Sequence, residues 1–527
     1  MNSATIIIAI TMVAYLFAML MVGVIFNRKG ATETSDGFYI GGRSLGPLVT
    51  AMSAEASDMS SYLLMGLPGL AYIAGLAEVS WTAIGLAVGT YLNFLFVSRL
   101  LRRYSARINA FTIPEYFSNR YGDSRHVISC IAALIILIFF IPYTASGFKA
   151  VGTLFNTLFG IEYHLAMLIG AVIIISYTTL GGFLAVSTTD LIQSIFMSIA
   201  LIIIVFFGIN MAGGLDVVIQ NARELPGYLN LGQGYVAPDP ATVDLTQAAG
   251  WLQGTAGSYG FLPVVSTLAW GLGYFGMPHI LLRFMGIRDE KELVLSRRIA
   301  AIWVVISMGV AVFIGVIGFS VSKAGAIPFL TSSSESETVI IQMAHLMSEH
   351  GLILAIAAGI ILSGILAATM STADSQLLAA ASSVSQDLIQ DFFGIELDQR
   401  KAMIFARATV IGIAIIALVL AWNPNSSVFR VVSFAWAGFG ATFGPTMLLS
   451  LFWRRSNRQG AICGLVAGGV MIFVWKFLIA PMGGVFGIYE LLPAFIISLI
   501  VNVIVSSVTA APDQEILDIY DEVHKKA

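Results

Sequence analysis

Cysteine and charge are both scarce in this chain of 527 residues. Its two cysteines, Cys130 and Cys463, fall in apolar segments, which argues against a disulfide framework and against a metal cluster. Charged residues make up 11% of the chain and hydrophobic residues 57%, and the mean hydropathy is +0.88. Soluble globular proteins carry about 25% charged residues, so this composition predicts a polytopic membrane protein.

Motifs of enzymes and of nucleotide-binding proteins are also missing from the sequence. No Gly-rich phosphate loop of the Walker type appears. The histidine and acidic residues have no spacing typical of a nucleophile with its base or of a metal site. The net charge of −3 points to no class of partner. We therefore expect neither an enzyme nor a protein that binds nucleic acid.

Long apolar runs predict thirteen membrane spans, at about 20 residues per crossing. The first run is too long for a signal-peptide core and no basic stretch precedes it, so we expect it to be retained. The predicted spans lie near Ile6–Phe26, Leu48–Ile73, Trp81–Val97, Val127–Phe155, Leu165–Leu180, Leu191–Met211, Val264–Leu282, Ile299–Val321, Leu352–Leu378, Ile404–Trp422, Val428–Phe452, Ala461–Leu478 and Leu491–Val508.

Basic residues test this count, because they concentrate in the cytoplasmic loops of membrane proteins. With the N-terminus outside, most of the 27 lysines and arginines fall on the inner side. The exceptions are Lys149, Arg223, Lys323, Arg430 and Lys476. This asymmetry predicts that the N-terminus lies outside and the C-terminus inside.

The second predicted span contains an interruption at 53–69. It carries Glu55, Asp58, four serines, two glycines and Pro68, and a lipid-facing helix would not tolerate these charges and this loose backbone. A helix broken at mid-membrane can turn its freed carbonyls toward a cation. A kinked helix packed through small residues is the alternative, and this stretch alone does not decide between them.

A similar interruption follows five spans later. Gly271, Gly273, Gly276 and Pro278 predict local unwinding, since glycine loosens a helix and proline removes a backbone donor. Two interrupted spans at this distance are typical of the leucine-transporter fold, an inverted repeat of five plus five helices; two unrelated kinks are the alternative. We predict an all-α fold in five parts. A first span with its inner loop (1–45) is followed by a first repeat (46–212) and an outer loop with short helices (213–255). A second repeat (256–453) and two last spans with a tail (454–527) complete the chain.

The ninth predicted span carries small and hydroxyl residues on one face. Ala368, Ser371, Thr372 and Ser375 lie three or four positions apart, so they share that face if the span is a helix. Hydroxyl and carbonyl oxygens are the ligands that a small hard cation prefers. Packing between helices through hydroxyls is the alternative, but together with the two interruptions the pattern favours an ion site.

Short motifs extend from the first inner loop to the eleventh predicted span. They are GGRSLGP (41–47), ASDMS (56–60), LLMGLPG (63–69), GGFLAVS (181–187), WGLGYFG (270–276), PHIL (278–281), MST (370–372) and SFAWAGFGA (433–441). Through them the chain resembles the sodium/solute symporter family, and within it most closely the bacterial members that carry proline. The resemblance covers nearly the whole chain.

The resemblance implies a sodium site and a set of coupling residues. Asp58 matches an aspartate important for sodium-dependent transport, whose side chain would organise the unwound backbone. Arg43 and Asp190 match inner-side residues linked to coupling, and relatives with a second sodium have a carboxylate ligand at the position of Asp190. Asp374 and Ser375 are further candidates for a second sodium or for coupling. Sodium itself would bind the backbone carbonyls of Ala56, Met59 and Ala368 and the hydroxyls of Ser371 and Thr372.

The resemblance also implies a substrate site and a mechanism. The expected function is uptake of a small zwitterionic solute, most specifically L-proline, across the inner membrane of a bacterium, driven by inward movement of Na⁺. A helix N-terminus at a break can receive the carboxylate, and aromatic rings can receive the ammonium. The substrate residues would include Ser60, Tyr143, Trp270, Tyr274 and Pro278.

Some positions depart from the proline carriers of the family. Glu55, Ser61 and Tyr62 replace two glycines and a tryptophan, and Met277 replaces a glutamine. Asp374 and Ser375 replace a serine and a cysteine. These departures leave the sodium stoichiometry and the substrate open. The alternatives are a family member for sialic acid, pantothenate or a sugar, proton coupling through the aspartates, and a sensor that keeps the fold without transport.

Overall fold

The computed structural model describes residues 3–28, 35–395 and 397–525. Lys29 and Lys526, which the charge asymmetry places inside, lie outside the described residues. The first half of the chain forms the helices α1 Ser3–Arg28, α2 Ser35–Ile40, α3 Pro47–Ser61, α4 Leu67–Ala74, α5 Leu76–Leu92, α6 Ser98–Arg107, α7 Ile113–Arg120, α8 Val127–Phe159 and α9 Tyr163–Met211.

The segment between α9 and the second half, which is predicted to lie outside, is mixed rather than purely helical. Two short helices, α10 Leu215–Arg223 and α11 Ala248–Trp251, are present as predicted. Strands β1 Gln233–Val236 and β2 Thr255–Ser258 form an antiparallel pair between and beyond them, which corrects the all-α prediction. Tyr235 attaches the pair to α11, because its ring stacks on the buried ring of Trp251 at 5.9 Å and its hydroxyl donates to the Trp251 carbonyl at 2.6 Å.

The second half is again helical. Its helices are α12 Phe261–Leu268, α13 Pro278–Gly286, α14 Leu293–Lys323, α15 Ser333–Ser336, α16 Val339–Ser348, α17 Leu352–Ser382, α18 Gln399–Leu420, α19 Val428–Phe452, α20 Arg458–Val474, α21 Leu491–Val508 and α22 Gln514–Lys525.

Nine helical stretches of the described chain are long and apolar enough to cross a membrane by length and composition. Helices lie at the other four predicted positions as well, near Leu48–Ile73, Leu165–Leu180, Val264–Leu282 and Ile404–Trp422. Two of these four contain the interruptions. Their polar residues, glycines and prolines lower the hydropathy and divide the helices, so the features that suggest a site also weaken the signal of a span.

The interrupted helices lie inside the helical bundle. Helix α17 packs against α1, α3, α8 and α9, and α14 packs against α4. A Cβ atom on Gly315 of α14 would lie 2.3 Å from the Pro68 carbonyl oxygen, so glycine is required for this approach. Every residue from Thr50 to Gly69 is buried, including Glu55 and Asp58. The first interruption is therefore shielded from lipid, as its polar content requires.

Candidate site at the two helix breaks

The first interruption lies between α3 and α4. Ser60 has backbone angles of φ 46° and ψ −167°, a positive-φ conformation that residues with a Cβ atom seldom adopt. Its hydroxyl oxygen accepts a hydrogen bond from the Tyr62 amide at 3.1 Å, which satisfies a donor freed by the break. A π-helical turn, Tyr62–Gly66, then leads into α4. The predicted break is present and is centred on Ser60.

Four of the five predicted sodium ligands meet where α3 crosses α17. The Ser371 hydroxyl lies 2.8 Å from the Ala56 carbonyl oxygen and 3.1 Å from the Ala368 carbonyl oxygen. The Thr372 hydroxyl donates to the same Ala368 carbonyl at 3.3 Å. All four residues are buried. Two carbonyl and two hydroxyl oxygens in this arrangement can coordinate a small hard cation once the hydroxyl protons turn away.

The fifth predicted ligand, the Met59 carbonyl, accepts a hydrogen bond from the Tyr62 amide. A carbonyl oxygen has a second lone pair, so this bond leaves Met59 able to bind a cation. The described residues include no group of three or more His, Cys, Asp or Glu side chains suited to a metal ion. A site of neutral oxygens fits a monovalent cation such as Na⁺ better than a divalent one, which usually binds carboxylates.

The second interruption is a 3₁₀-helical segment, Ala269–Gly276, between α12 and α13. Two of its carbonyls accept hydrogen bonds from buried side chains instead of from helix amides. Such bonds stabilise an unwound backbone inside a membrane protein. The donors are Trp436 Nε1, 2.8 Å from the Trp270 carbonyl, and Asn93 Nδ2, 3.0 Å from the Tyr274 carbonyl.

Asp58 connects the two interruptions. Its carboxylate accepts a hydrogen bond from the Tyr274 hydroxyl at 2.5 Å, and its backbone carbonyl accepts one from the Tyr143 hydroxyl of α8 at 3.1 Å. Hydrogen bonds to a charged carboxylate are roughly twice as strong as neutral ones. Asp58 therefore holds the first break against the second break and against α8. This geometry agrees with a side chain that organises the unwound backbone.

A small internal cavity lies beside Asp58. Its volume is about 10 Å³, room for about one water molecule. Of the predicted substrate residues, Tyr143 and Trp270 line it, whereas Ser60, Tyr274 and Pro278 are buried at the two breaks and are not part of its lining. Its other lining residues are Asp58, Met59, Tyr62, Leu86, Met308, Val432 and Trp436.

Trp270 separates this cavity from a larger vestibule. The Trp270 ring stacks on Tyr489 at 5.1 Å and on Tyr62 at 5.6 Å, and Phe429 lies 5.5 Å away. The vestibule has a volume of about 380 Å³ and Trp270 also forms part of its lining. A solute that passes from the vestibule to the cavity must therefore displace this aromatic stack. The charged residues that line the vestibule are Glu78, Arg430, Lys476 and Glu490.

A buried ion pair lies next to the aromatic stack. Lys149 Nζ of α8 is 3.1 Å from Glu337, and both side chains are 2% exposed. Glu337 also accepts hydrogen bonds from the Ser427 hydroxyl at 2.7 Å and from the Val428 and Phe429 amides at 3.0 and 3.1 Å. A carboxylate is favourable at this position because it lies at the N-terminus of α19. Glu337 thus fixes α19, and with it Phe429, against α8.

The coupling residues Asp190, Asp374 and Ser375 meet around Arg283. Arg283 Nη2 lies 3.1 Å from the Asp190 carboxylate and 2.5 Å from the Ser375 hydroxyl. The Ser53 hydroxyl of α3 donates to Asp190 at 2.6 Å, and the Asp374 carboxylate lies 3.4 Å from the Ser375 hydroxyl. The charge asymmetry assigns Arg283 to an inner loop, but it is only 1% exposed. The loop placement is therefore wrong: Arg283 lies in α13, and its guanidinium is buried because side chains of α3, α9 and α17 supply its partners. The side of the membrane on which it lies stays a prediction.

Arg43, the remaining coupling residue, binds other partners. Its guanidinium donates to the carbonyls of Met285 and Ala110, each at 2.8 Å. Its backbone φ is 52°, which follows from the turn made by the two glycines before it. Arg43 ties the segment before α3 to the end of α13, and the hydrogen bonds of the described chain do not connect it directly to Asp190.

Several site residues were missed by the sequence analysis. Two of them had a signal in the sequence. Trp436 lies in the SFAWAGFGA motif, and Arg283 is a charged residue at the end of a predicted span, four positions after His279. Met308 and Glu337 had no such signal. Their roles depend on packing between distant segments, which a local pattern does not contain.

Two broken helices that lie side by side inside a helical bundle are typical of one class of protein, the secondary transporters. A sequence model of the sodium:solute symporter family matches residues 38–468. The chain therefore belongs to this family, and it is a multi-pass membrane protein that couples solute uptake to Na⁺. It is 40% identical to the sodium/proline symporter of Haemophilus influenzae, over 98% of this chain and 97% of that protein. It is 38% identical to the sodium/proline symporter of Staphylococcus aureus, over 95% and 93%.

Two solved transporters share the fold. A Na⁺-coupled sialic acid symporter superposes with a TM-score of 0.75 at 20% identity, covering 96% of this chain and 99% of the other. Mhp1, a transporter of the nucleobase-cation-symport-1 family, superposes with a TM-score of 0.51 at 13% identity, covering 93% and 95%. At these identities the likeness concerns the fold alone.

Proposed function

We propose that this protein is a symporter of Na⁺ and L-proline in the bacterial inner membrane. It has thirteen spans, with the N-terminus outside, the C-terminus inside and two inverted repeats of five helices each. One observation carries this proposal: a cluster of neutral oxygens and an aromatic cavity lie next to each other. The cluster is formed by α3 and α17, and the cavity is lined by Asp58 and Met59, about one helical turn further along the chain. The relatives named for proline transport support the choice of substrate.

The proposed sodium site acts by joining two helices. Na⁺ bound to Ala56, Met59, Ala368, Ser371 and Thr372 fixes the broken end of α3 against α17. Because Asp58 and Met59 also line the cavity, this fixation completes the substrate site. Sodium and proline then favour each other's binding, with a coupling free energy that is typically 1–3 kcal/mol.

Arg283 determines the stoichiometry in this proposal. Its guanidinium lies within hydrogen-bonding distance of both Asp190 and Ser375. A second sodium bound at this position would need the oxygens of the same two side chains. A positive charge so close to that position repels another cation. One Na⁺ therefore accompanies each proline, and Asp190, Asp374 and Ser375 act in coupling, as a link between α3, α9, α13 and α17.

The cavity suits a compact amino acid. The rings of Tyr143, Trp270 and Tyr62 can contact an apolar ring and an ammonium group, and the amides freed at the break can receive a carboxylate. A sugar or a sialic acid would bury more hydroxyls than the hydroxyls of Tyr62 and Tyr143 can match, at about 1–3 kcal/mol for each unsatisfied group. In the present conformation the cavity is too small for proline. Binding thus requires the Trp270–Tyr489 stack and the Lys149–Glu337 pair to separate. This separation is the step of alternating access that opens the site to the outside.

The test is uptake by the purified protein in proteoliposomes. We expect labelled proline to accumulate under an inward sodium gradient and not under choline, with a charge-to-proline ratio that corresponds to one sodium. Sodium-dependent uptake of a sugar, a sialic acid or pantothenate without uptake of proline would refute the substrate. Uptake driven by a proton gradient in the absence of sodium would refute the ion, and sodium-dependent binding without uptake would indicate a sensor.

A further inference from the structure

A large apolar groove runs between α5 and α14 on the outside of the bundle. Its volume is about 760 Å³, within the range of about 300–1,000 Å³ typical of ligand sites. The lining is aliphatic and aromatic apart from Ser80 and Arg223. Ile84, Val88 and Val305 beside it are 41%, 50% and 60% exposed, as expected for side chains that face lipid tails.

The length of the groove corresponds to one leaflet of a bilayer. Along α5 it extends from Leu76 to Val88, about 18 Å at 1.5 Å per residue. The hydrocarbon core of a bilayer is about 30 Å thick, so the groove reaches from one surface to about the middle. Arg223 at the end of α10 lies at the mouth, on the side of the outer loop. An extended acyl chain has the shape and the polarity of this groove.

The cation at the mouth identifies the head group. Arg223 is exposed and forms no ion pair with any residue that the structure describes, whereas its neighbour Glu224 is paired with Lys323. An arginine at the membrane surface attracts anionic lipid and binds phosphate oxygens through its planar guanidinium. We propose that the groove binds one anionic glycerophospholipid, with an acyl chain between α5 and α14 and the phosphate on Arg223.

The groove shares a wall with the cavity beside Asp58. Met308 of α14 is 1% exposed and lines both spaces. An acyl chain in the groove holds this side chain against the cavity, so occupancy by lipid changes the affinity of the cavity for its solute. This second part rests on the proposed function, whereas binding of the lipid does not.

Gly309 provides a variant that blocks the groove. A Cβ atom added there meets no other atom within 4 Å, so the backbone has room for a side chain, and Gly309→Leu adds one to the lining of the groove. Gly412 of α18 is exposed and equally open, which makes Gly412→Leu the matched control for a leucine on a lipid-facing helix. Arg223→Gln removes the head-group contact, and Arg223→Lys keeps its charge. Because Arg223 is exposed, its variants test the proposal even if Gly309→Leu fails to fold.

The binding experiment is native mass spectrometry of the full chain after incubation with vesicles of phosphatidylglycerol or of phosphatidylethanolamine. We expect one retained phosphatidylglycerol in the wild type, in Gly412→Leu and in Arg223→Lys. Arg223→Gln should lower the ratio of lipid-bound to lipid-free protein about fivefold, which is equivalent to ~1 kcal/mol per basic residue at an anionic surface. Gly309→Leu should lower this ratio at least as much. Equal retention in Gly309→Leu and the wild type, or equal retention of both lipids, would overturn the proposal. A wild-type dimer that is lost in Gly309→Leu would also overturn the proposal, because the groove would then bind a second copy of the chain.

The functional experiment compares sodium-dependent proline affinity in nanodiscs with and without phosphatidylglycerol. We expect a shift in the wild type that Gly309→Leu abolishes and Gly412→Leu retains. Unchanged affinity in the wild type, with lipid binding established by mass spectrometry, would overturn the link through Met308. Absence of any proline binding would refute the proposed substrate and leave the lipid site standing.

Discussion

Replacing Ser371 with alanine removes a hydroxyl that contacts both helices of the proposed sodium site. Its oxygen lies 2.8 Å from the Ala56 carbonyl and 3.1 Å from the Ala368 carbonyl. Alanine is the strongest helix former, so α17 should persist. A hydrogen bond to a charged group contributes about 1.5–3 kcal/mol. If one sodium ligand contributes as much, the half-saturating sodium concentration rises roughly 10- to 150-fold.

The assay is the initial rate of labelled proline uptake by proteoliposomes at increasing external sodium. Ser363→Ala is the matched control, because Ser363 lies on the same helix and its hydroxyl donates within that helix, to the Gly359 carbonyl at 2.8 Å. We expect wild-type sodium dependence from this control. Thermal unfolding of both variants checks that they fold equally well. At saturating sodium the proline affinity of Ser371→Ala should recover, because the two ligands are linked.

Thr372 extends the test to the second hydroxyl of the site. Thr372→Ala should also raise the half-saturating sodium concentration, whereas Thr372→Ser should keep it because the hydroxyl remains. If Ser371→Ala and Thr372→Ala both showed wild-type sodium dependence, the ion would bind elsewhere. The two hydroxyls would then serve only to pack α17 against α3.

Further predictions concern the acid at the break, the aromatic stack and the Lys149–Glu337 ion pair. Asp58→Asn should nearly stop sodium-driven uptake, because it weakens the hydrogen bond between the two breaks, and Asp58→Glu should retain a small part of the uptake. Near-normal uptake by Asp58→Asn would exclude the carboxylate from the mechanism. Trp270→Ala should weaken proline binding far more than sodium binding in calorimetric titrations, and an equal loss of both would contradict a role in the substrate site. Glu337→Gln leaves Lys149 buried without its carboxylate, a loss of about 3–5 kcal/mol for a broken buried pair, so it should favour the outward-open state. Faster thiol labelling of Ser433→Cys in the vestibule would show this opening, and an unchanged labelling rate would contradict it.

Sequence patterns alone determined the helical framework and the positions of the two breaks. Helices Val428–Phe452 and Leu491–Val508 lie where hydropathy predicts them, because the hydrophobic period of a helix is a local property. The break at Ser60 and the 3₁₀ segment before Pro278 follow from serine, glycine and proline, whose backbone preferences also act locally. The hydroxyl face of α17 was predictable for the same reason, since residues three and four apart share a helix face.

Tertiary structure alone decided which residues meet. Arg283 binds Asp190 and Ser375, which lie more than 90 positions away in the chain. No local pattern predicts this contact, on which the proposed stoichiometry of one sodium rests. Glu337 joins α19 to α8 only because the N-terminus of α19 packs against it. Met308 has no local signal at all, yet it stands between the lipid-facing groove and the internal cavity. Such contacts depend on how helices cross, and the crossings follow from close packing of the whole bundle rather than from the sequence of any one helix.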